Sequence, residues 1–377
     1  MSEARITNLS NESNTGGPTI SGITTFSGTN YFVPPVGSTA ERPENPEKGS
    51  IRFNTDSKHL EYFKGDTINW VDVEASNEEL NGGYRGVFAV GRVGPASVNT
   101  IEYLNISTLG NATDFGDRTV STRRFGAASS RTRGLLAGGY DGSGDSDVID
   151  YITTASTGNA IDFGNLLGDA RTIAGLSNAT RGIFGGNEVP TQLNVIQYVT
   201  IAQTGNAVDF GDTTRVGHQA TTCSSTTRGL FAAVYGSPGN SNVIDYITIA
   251  TTGNAADFGD MVNTASGMYG GSNATRGVFA GGYNPDQNII QYVTIATTGN
   301  TTDFGDLTAG RSSGCGCPTS PTRAVFAGGY GVSPHPKVNI IDYIEILTTG
   351  NAKDFGDLTT AASYGSAGSC SNGHGGL

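Results

Sequence analysis

Asp-Phe-Gly-Asp stands at residues 114–117, 209–212, 257–260, 303–306 and 354–357, and Asp-Phe-Gly-Asn at 162–165. Two carboxylates around a turn are donors that hard cations take, so each run has to be weighed as a metal site. Asp-Phe-Gly holds magnesium in phosphoryl-transfer sites, but only beside a glycine-rich loop and a catalytic loop that have no counterpart here. Calcium wants at least six oxygens, and each run offers few. The tetrapeptide therefore reads as a structural turn. Cys223, Cys315, Cys317 and Cys370 form no Cys-x-x-Cys pair and no zinc spacing with a nearby histidine. They read as small core residues, with a soft-metal site from Cys315, Cys317 and a histidine as the alternative. No metal and no cofactor is expected.

A residue repeated in every unit of a chain cannot by itself build one active site, because catalysis needs different groups at one place. His218, His335 and His374 break the repetition. To act, one of them would need a Ser or Cys and a carboxylate beside it. The expectation is a protein with no catalytic residues. Arg124, Arg171, Arg215 and Arg311 are better candidates, for binding. Each follows its Asp-Phe-Gly-Asp or Asp-Phe-Gly-Asn run by three to seven residues, where the neighbouring sequence is otherwise small. Guanidinium groups gathered there would suit carboxylate or phosphate ligands, as on an anionic glycan. Pairing with loop carboxylates such as Asp141 or Asp169 is the alternative.

These residues need elements to position them, and the chain repeats. Arg-Gly, an apolar trio, Gly-Gly, a variable loop, an Ile-Asp-Tyr-Ile core, Thr-Gly-Asn and Asp-Phe-Gly-Asp recur six times from residue 84 onward. The arginines fall at 85, 133, 181, 228, 276 and 323, and the tyrosines at 103, 151, 198, 246, 292 and 343. A period near 48 residues with four strand signals per unit is that of a propeller blade. The order of turns puts the repeated Arg and the Asp on one face, where Arg276 is expected to pair with Asp257 or Asp303. The loops 92–98, 141–147, 187–193, 236–241, 284–287 and 331–337 differ most and share the other face. Variable loops on a regular scaffold are the usual place for recognition. Their candidates are Arg92, Asp141, Glu188, Asn284 and His335. Asn-Ala-Thr at 111, 178 and 273 reads as turn chemistry rather than as glycosylation sites.

Closure follows from the strand count. Six Gly-Gly strands are preceded by only five small-residue strands. A sixth small-residue stretch, 361–371, stands at the C-terminal end and ends in an echo of Ser177-Asn178 at Ser371-Asn372. It is expected to pair with residues 87–91 and so remove the open sheet edges.

Composition bounds the function. Lys and Arg number 22 against 34 Asp and Glu, a formal net charge of −12. That disfavours both sequence-independent nucleic-acid binding and docking on an anionic membrane. Glycine at 56 of 377 residues fits many tight turns. No apolar run is long enough for a spanning helix, and residues 1–17 lack the apolar core of a signal peptide. No membrane insertion is expected.

Val325-Phe326-Ala327-Gly328-Gly329-Tyr330 and Asn339-Ile340-Ile341-Asp342-Tyr343 resemble two strands of the Kelch repeat, with Phe355 where that family usually has Trp. The resemblance covers residues 84–377 and marks a divergent relative. It implies an all-β, six-bladed Kelch-like β-propeller. Six-bladed propellers include sialidases, but the Ser-x-Asp-x-Gly-x-x-x-Trp box of those enzymes is absent.

Residues 1–30 read as an extended polar arm, 31–75 as a small β module and 76–83 as a linker. Pro35-Val36-Gly37-Ser38-Thr39-Ala40-Glu41-Arg42-Pro43, Gly49-Ser50-Ile51-Arg52-Phe53-Asn54-Thr55-Asp56, Leu60-Glu61-Tyr62-Phe63-Lys64-Gly65 and Trp70 resemble a small β module of structural proteins from tailed bacteriophages, marine and cyanobacterial ones especially. That resemblance implies a virion protein held through residues 1–75 by other virion proteins, as a homo-oligomer in the particle. Its propeller would then bind a host-surface glycan, as in a tail fibre or appendage. A purely architectural collar or capsid decoration protein is the alternative, and a glycan-acting enzyme a further one.

Overall fold

The protein is described by a computed structural model at residues 34–65, 69–73, 85–236, 239–283, 287–363 and 370–377. The arm expected at 1–30 and the linker expected at 76–83 lie outside these residues. Among the described residues the chain is all-β, with one short 3-10 turn at Thr39–Glu41. It divides into two compact units, residues 1–77 and 78–377.

The first unit is a four-stranded sheet. Val36–Gly37 runs parallel to Ile51–Asn54, and Leu60–Phe63 and Trp70–Val73 follow antiparallel. So small a unit has little apolar surface to bury. Phe63 and Trp70 supply part of its core, with ring centroids 5.5 Å apart. Glu61 is fully buried between Arg42 at 2.5 Å and Arg52 at 3.6 Å. The Arg42 hydrogen bond holds its carboxyl below the usual range against the opposing effect of burial.

In the second unit the second repeat shows the plan. Gly126–Ser129, Arg133–Tyr140, Asp145–Thr153 and Ile161–Ala170 lie side by side in chain order, all antiparallel. The third, fourth and fifth repeats follow it. In the first repeat, Cys370–Ser371 takes the place beside Arg85–Ala89, with Cys370 opposite Val87 and Ser371 opposite Gly86. The expected pairing of the whole stretch 361–371 is therefore corrected. Lys353–Ser363 runs on from the sixth sheet, so Ala362 and Ser363 pair instead with Val93 and Arg92. In the sixth repeat Pro318 interrupts the small-residue segment, which bonds to Arg323–Ala327 through Cys315 N–H to the Ala327 carbonyl and Val325 N–H to the Pro318 carbonyl.

Each Asp-Phe-Gly-Asp run is a junction between repeats. Its Phe is buried and meets the Tyr of its own repeat edge-on, at 5.8 Å for Tyr103–Phe115 and 6.2 Å for Tyr246–Phe258. Its Gly lies against the next repeat's Thr-Gly-Asn turn. At Gly211 (φ 144°) a Cβ would stand 2.5 Å from the Gly253 carbonyl, so only glycine fits. Gly253 N–H donates to Phe210 O, and Asn254 Oδ1 accepts Asp212 N–H. The same bonds join Gly158 to Phe115, Gly205 to Phe163, Gly299 to Phe258, Gly350 to Phe304 and Gly110 to Phe355. Asn-Ala-Thr at 111 is thus part of such a turn, with Asn111 Oδ1 accepting Asp357 N–H.

The repeated arginines also act across this junction, which corrects the expected pairing of Arg276 with Asp257 or Asp303. Arg276 stacks over Tyr292 at 4.2 Å and donates to the Ile346 carbonyl of the following repeat at 2.9 Å. Arg85, Arg133, Arg181, Arg228 and Arg323 do the same with their own neighbours. A cation held over an aromatic face and bonded to a carbonyl needs no carboxylate.

The small-residue strands touch one another through hydroxyls. Ser177, Ser224, Ser272, Thr319, Ser371 and Ser129 donate in turn to the carbonyls of Ser129, Ser177, Ser224, Ser272, Thr319 and Ser371, at 2.6–3.0 Å. All four cysteines are buried and none is in a disulfide. Burial pushes the Cys370 thiol up to about 12.

Candidate functional site

In each sheet the strand order puts short turns at one end and long loops at the other. The turn end is largely taken up by the inter-repeat bonds, which leaves the loop end as the place for a candidate site. There, four repeats contribute to a cavity of about 390 Å³ lined by Arg124, Gln219, Tyr235, Ser266, Tyr283, Ser312, Ser313, Tyr330 and His335. Two local features build it. Tyr140 ends the strand Arg133–Tyr140, and Tyr235, Tyr283 and Tyr330 stand just beyond the corresponding strands Arg228–Ala232, Arg276–Ala280 and Arg323–Ala327. They bond to the stretch before the small-residue strand, as at Arg123–Tyr140, His218–Tyr235, Ser266–Tyr283 and Ser312–Tyr330. The residue after each of those partners turns left-handed, with φ of 62° at Arg124, 60° at Gln219, 62° at Gly267 and 51° at Ser313. Thr172 matches them at 58°. Non-glycine residues in that region are strained, and such strain concentrates at functional sites.

The arginine candidates separate. Arg124 lines the cavity and reaches Glu188 at 3.4 Å. Arg171 bridges Glu188 at 3.4 Å and Asp145 at 3.6 Å, with its guanidinium 5.2 Å from the Tyr140 ring. Their carboxylate partners are therefore Glu188 and Asp145 rather than Asp141 or Asp169. Arg215 is half-buried and does not line the cavity. Arg311 is corrected outright. It is 1% exposed, pairs with buried Asp342 at 3.0 Å and donates to the Phe326 carbonyl at 3.0 Å, so it is part of the core and not of a mouth.

Among the loop candidates, Glu188 also accepts the Thr172 hydroxyl at 2.6 Å. Burial would raise its carboxyl, but that hydroxyl together with His218, Arg124 and Arg171 holds it below the usual range. His335 packs edge-on against Tyr283 at 5.7 Å and lines the cavity. Arg92 donates to the Tyr330 hydroxyl at 3.2 Å. Asp141 closes its own loop, accepting Ser143 and Gly144 N–H. Asn284 lies outside the described residues. His218, packed on Tyr235 at 5.3 Å, is held below the usual imidazole range by burial.

His374 lies at the other end. Its Nε2 is 2.8 Å from the Ser129 carbonyl, beside a void of about 30 Å³ lined by Ser177, Ser224, Ser272 and Thr319. That is room for about one water. Burial pushes the imidazole down to about 4, in a residue of intermediate overall exposure.

Sequence reasoning missed Arg123, Lys337 and the four tyrosines. The tyrosines had a signal, since Gly-Gly-Tyr recurs at 138–140, 281–283 and 328–330. Gly310-Arg311-Ser312-Ser313-Gly314 spells a Gly-x-Ser-x-Gly nucleophile pattern. Here Arg311–Ser312 is a strand paired with Tyr330–Gly331 and not a strand-to-helix elbow, and Ser312 is 2% exposed. The cavity lining holds no carboxylate among the described residues. Its chemistry is that of a polar, aromatic surface. No group of three His, Cys, Asp or Glu converges among the described residues. No family model matches the chain, and no curated protein matches it.

Proposed function

We propose that residues 84–377 form a six-bladed, Kelch-like propeller carried on a bacteriophage virion by residues 1–75, and that its loop end binds the host surface without catalysis. Closure is supported by the junction bonds, which link the sixth repeat to the first through Gly110 and Phe355 as they link the others. The circle of hydroxyls from Ser129 round to Ser371 supports it independently. The virion assignment rests on the phage-like stretch from Pro35 to Trp70.

The observation that carries the binding function is the tyrosine-lined mouth, where side chains of four repeats meet at one cavity. Tyr235 and Tyr283 are 39% and 49% exposed there. A surface that serves only as scaffold has no reason to present aromatic rings around a concavity. Particles assembled with residues 1–77 alone should retain that segment and lose adsorption to host cells. Normal adsorption rejects the reading, and incorporation of an isolated 84–377 fragment into particles rejects the anchoring assignment.

A further inference from the structure

We infer that the mouth takes an anionic saccharide, its acid group held where the sixth, first and second repeats meet, by Arg92, Arg123 and Lys337. This rests on the host-binding reading above and names its ligand. Charge balance carries the argument. Arg124 and Arg171 have Glu188 and Asp145 as counter-ions. The other three cations bond to neutral groups. Arg92 donates to the Tyr330 hydroxyl, Arg123 to the Ser97 hydroxyl and Lys337 to the Gly94 carbonyl. They converge on one hairpin, since Ser97, which takes the Arg123 bond, is the strand partner of Arg92, and Gly94, which takes the Lys337 bond, lies in the turn between the two. Burial, then Arg92 and Arg124, hold Arg123 below its usual range, and burial, then Arg92 and Arg123, do the same to Lys337.

A protein of net charge −12 has thus gathered like charges at one place. Such an arrangement costs free energy until an anion relieves it. Tyr330 joins this cluster to the cavity, since its hydroxyl takes the Arg92 bond and its side chain lines the wall. At about 390 Å³ the cavity falls within the roughly 300–1,000 Å³ of small-ligand clefts. Tyr235 and Tyr283 offer amphipathic rings, and Gln219, Ser266 and Ser313 offer hydroxyl and amide groups. Rings for C–H faces, polar groups for hydroxyls and guanidiniums for an acid are the requirements of an acidic sugar.

Carboxylate and phosphate share this chemistry, and the test separates the two. The full chain is titrated calorimetrically with tetragalacturonate, with a galactose-phosphate oligomer and with neutral galactotetraose, at low and high salt. One anionic probe should bind, with affinity falling as salt rises. Arg92→Gln with Arg123→Gln should weaken it by about tenfold or more, and Tyr283→Ala by about fivefold. Equal binding of the neutral probe, unaltered binding in the arginine variant, or no binding of either anionic probe overturns the inference. Particle adsorption distinguishes this failure from failure of the host-binding reading. Adsorption that needs the propeller yet survives Arg92→Gln with Arg123→Gln overturns the ligand alone. Adsorption that never needed the propeller overturns the host-binding reading, and the titration still decides the ligand.

Discussion

The two ends of the repeat array are built from the same strands and follow opposite rules. At the turn end every repeat does the same thing. A glycine admits a neighbour's carbonyl, an asparagine accepts a neighbour's N–H, and an arginine stacks on its own tyrosine and bonds across the junction. At the loop end the repeats diverge. Position 124 is Arg, and the matching left-handed residues are Thr172, Gln219, Gly267 and Ser313. Repetition stabilises where identical contacts can be stacked, and variation is tolerated only where the backbone is already held from the other end.

One position shows the transition between the two rules. A bulge in every third strand turns Glu102, Asp150, Gln197, Asp245, Gln291 or Asp342 inward. Each side chain catches the chain as it leaves the Asp-Phe-Gly run, as Asp245 does with the N–H of Thr214 at 2.9 Å and Gln197 with that of Leu167 at 2.7 Å. Asp150 and Asp342 are neutralised by buried Arg118 and Arg311. Gln197 and Gln291 carry no charge. Glu102 and Asp245 are buried, and burial raises both carboxyls.

The contrast between the ends predicts a graded set of effects. Removing residues 370–377 should do most. It strips the first sheet of the strand Cys370–Ser371, which pairs with Gly86 and Val87, and breaks the hydroxyl circle at both of its Ser371 bonds. Loss of a cooperative melt and aggregation on sizing are expected, and an unchanged melting temperature would refute closure. Next, Gly211→Ala drives a Cβ into the Gly253 carbonyl and should cost about 2–4 kcal/mol in denaturant unfolding. At the loop end Gly142→Ala meets nothing within 4 Å and should cost only about 1 kcal/mol, from its φ of 117°. Equal costs would erase the distinction between the ends.

Below the Gly211 effect, Arg228→Met loses two carbonyl bonds and the Tyr246 ring, an expected loss of about 1.5–3 kcal/mol. Arg215→Gln at the loop end should stay within about 0.5 kcal/mol. The smallest effect is one of pH. Asp245 has a raised folded pKa, so the native state binds its proton more readily than the unfolded chain. Its penalty is full above the folded pKa and fades as pH falls toward the unfolded value. Asp245→Asn, which makes this repeat resemble the Gln197 and Gln291 repeats, should raise the melting temperature at pH 7. The gain should shrink on acidification, and a loss at pH 7 would show that the charge itself is needed.

Most of the repeat architecture is readable from residue order. The period, the four strand signals, the glycine in each Asp-Phe-Gly and the place of the variable loops all come from local chemistry, which adjacent residues specify by turn propensity and side-chain alternation. The partners were not readable. Arg276 looks equally suited to Asp257, Asp303 or a carbonyl until the next repeat is in place, and its bond to Ile346 spans 70 residues. Arg311 falls in the same short window after its Asp-Phe-Gly-Asp run as Arg124 and Arg171 after theirs, yet it turns inward to Asp342 while they stay at the surface. Arg92, Arg123 and Lys337 are scattered in the chain and come together only where three repeats adjoin. Sequence by itself determined the unit and its turns, because those depend on residues a few positions apart. Tertiary structure alone decided which charges are buried, which are paired and which face the mouth, because those outcomes depend on how one repeat packs against the next.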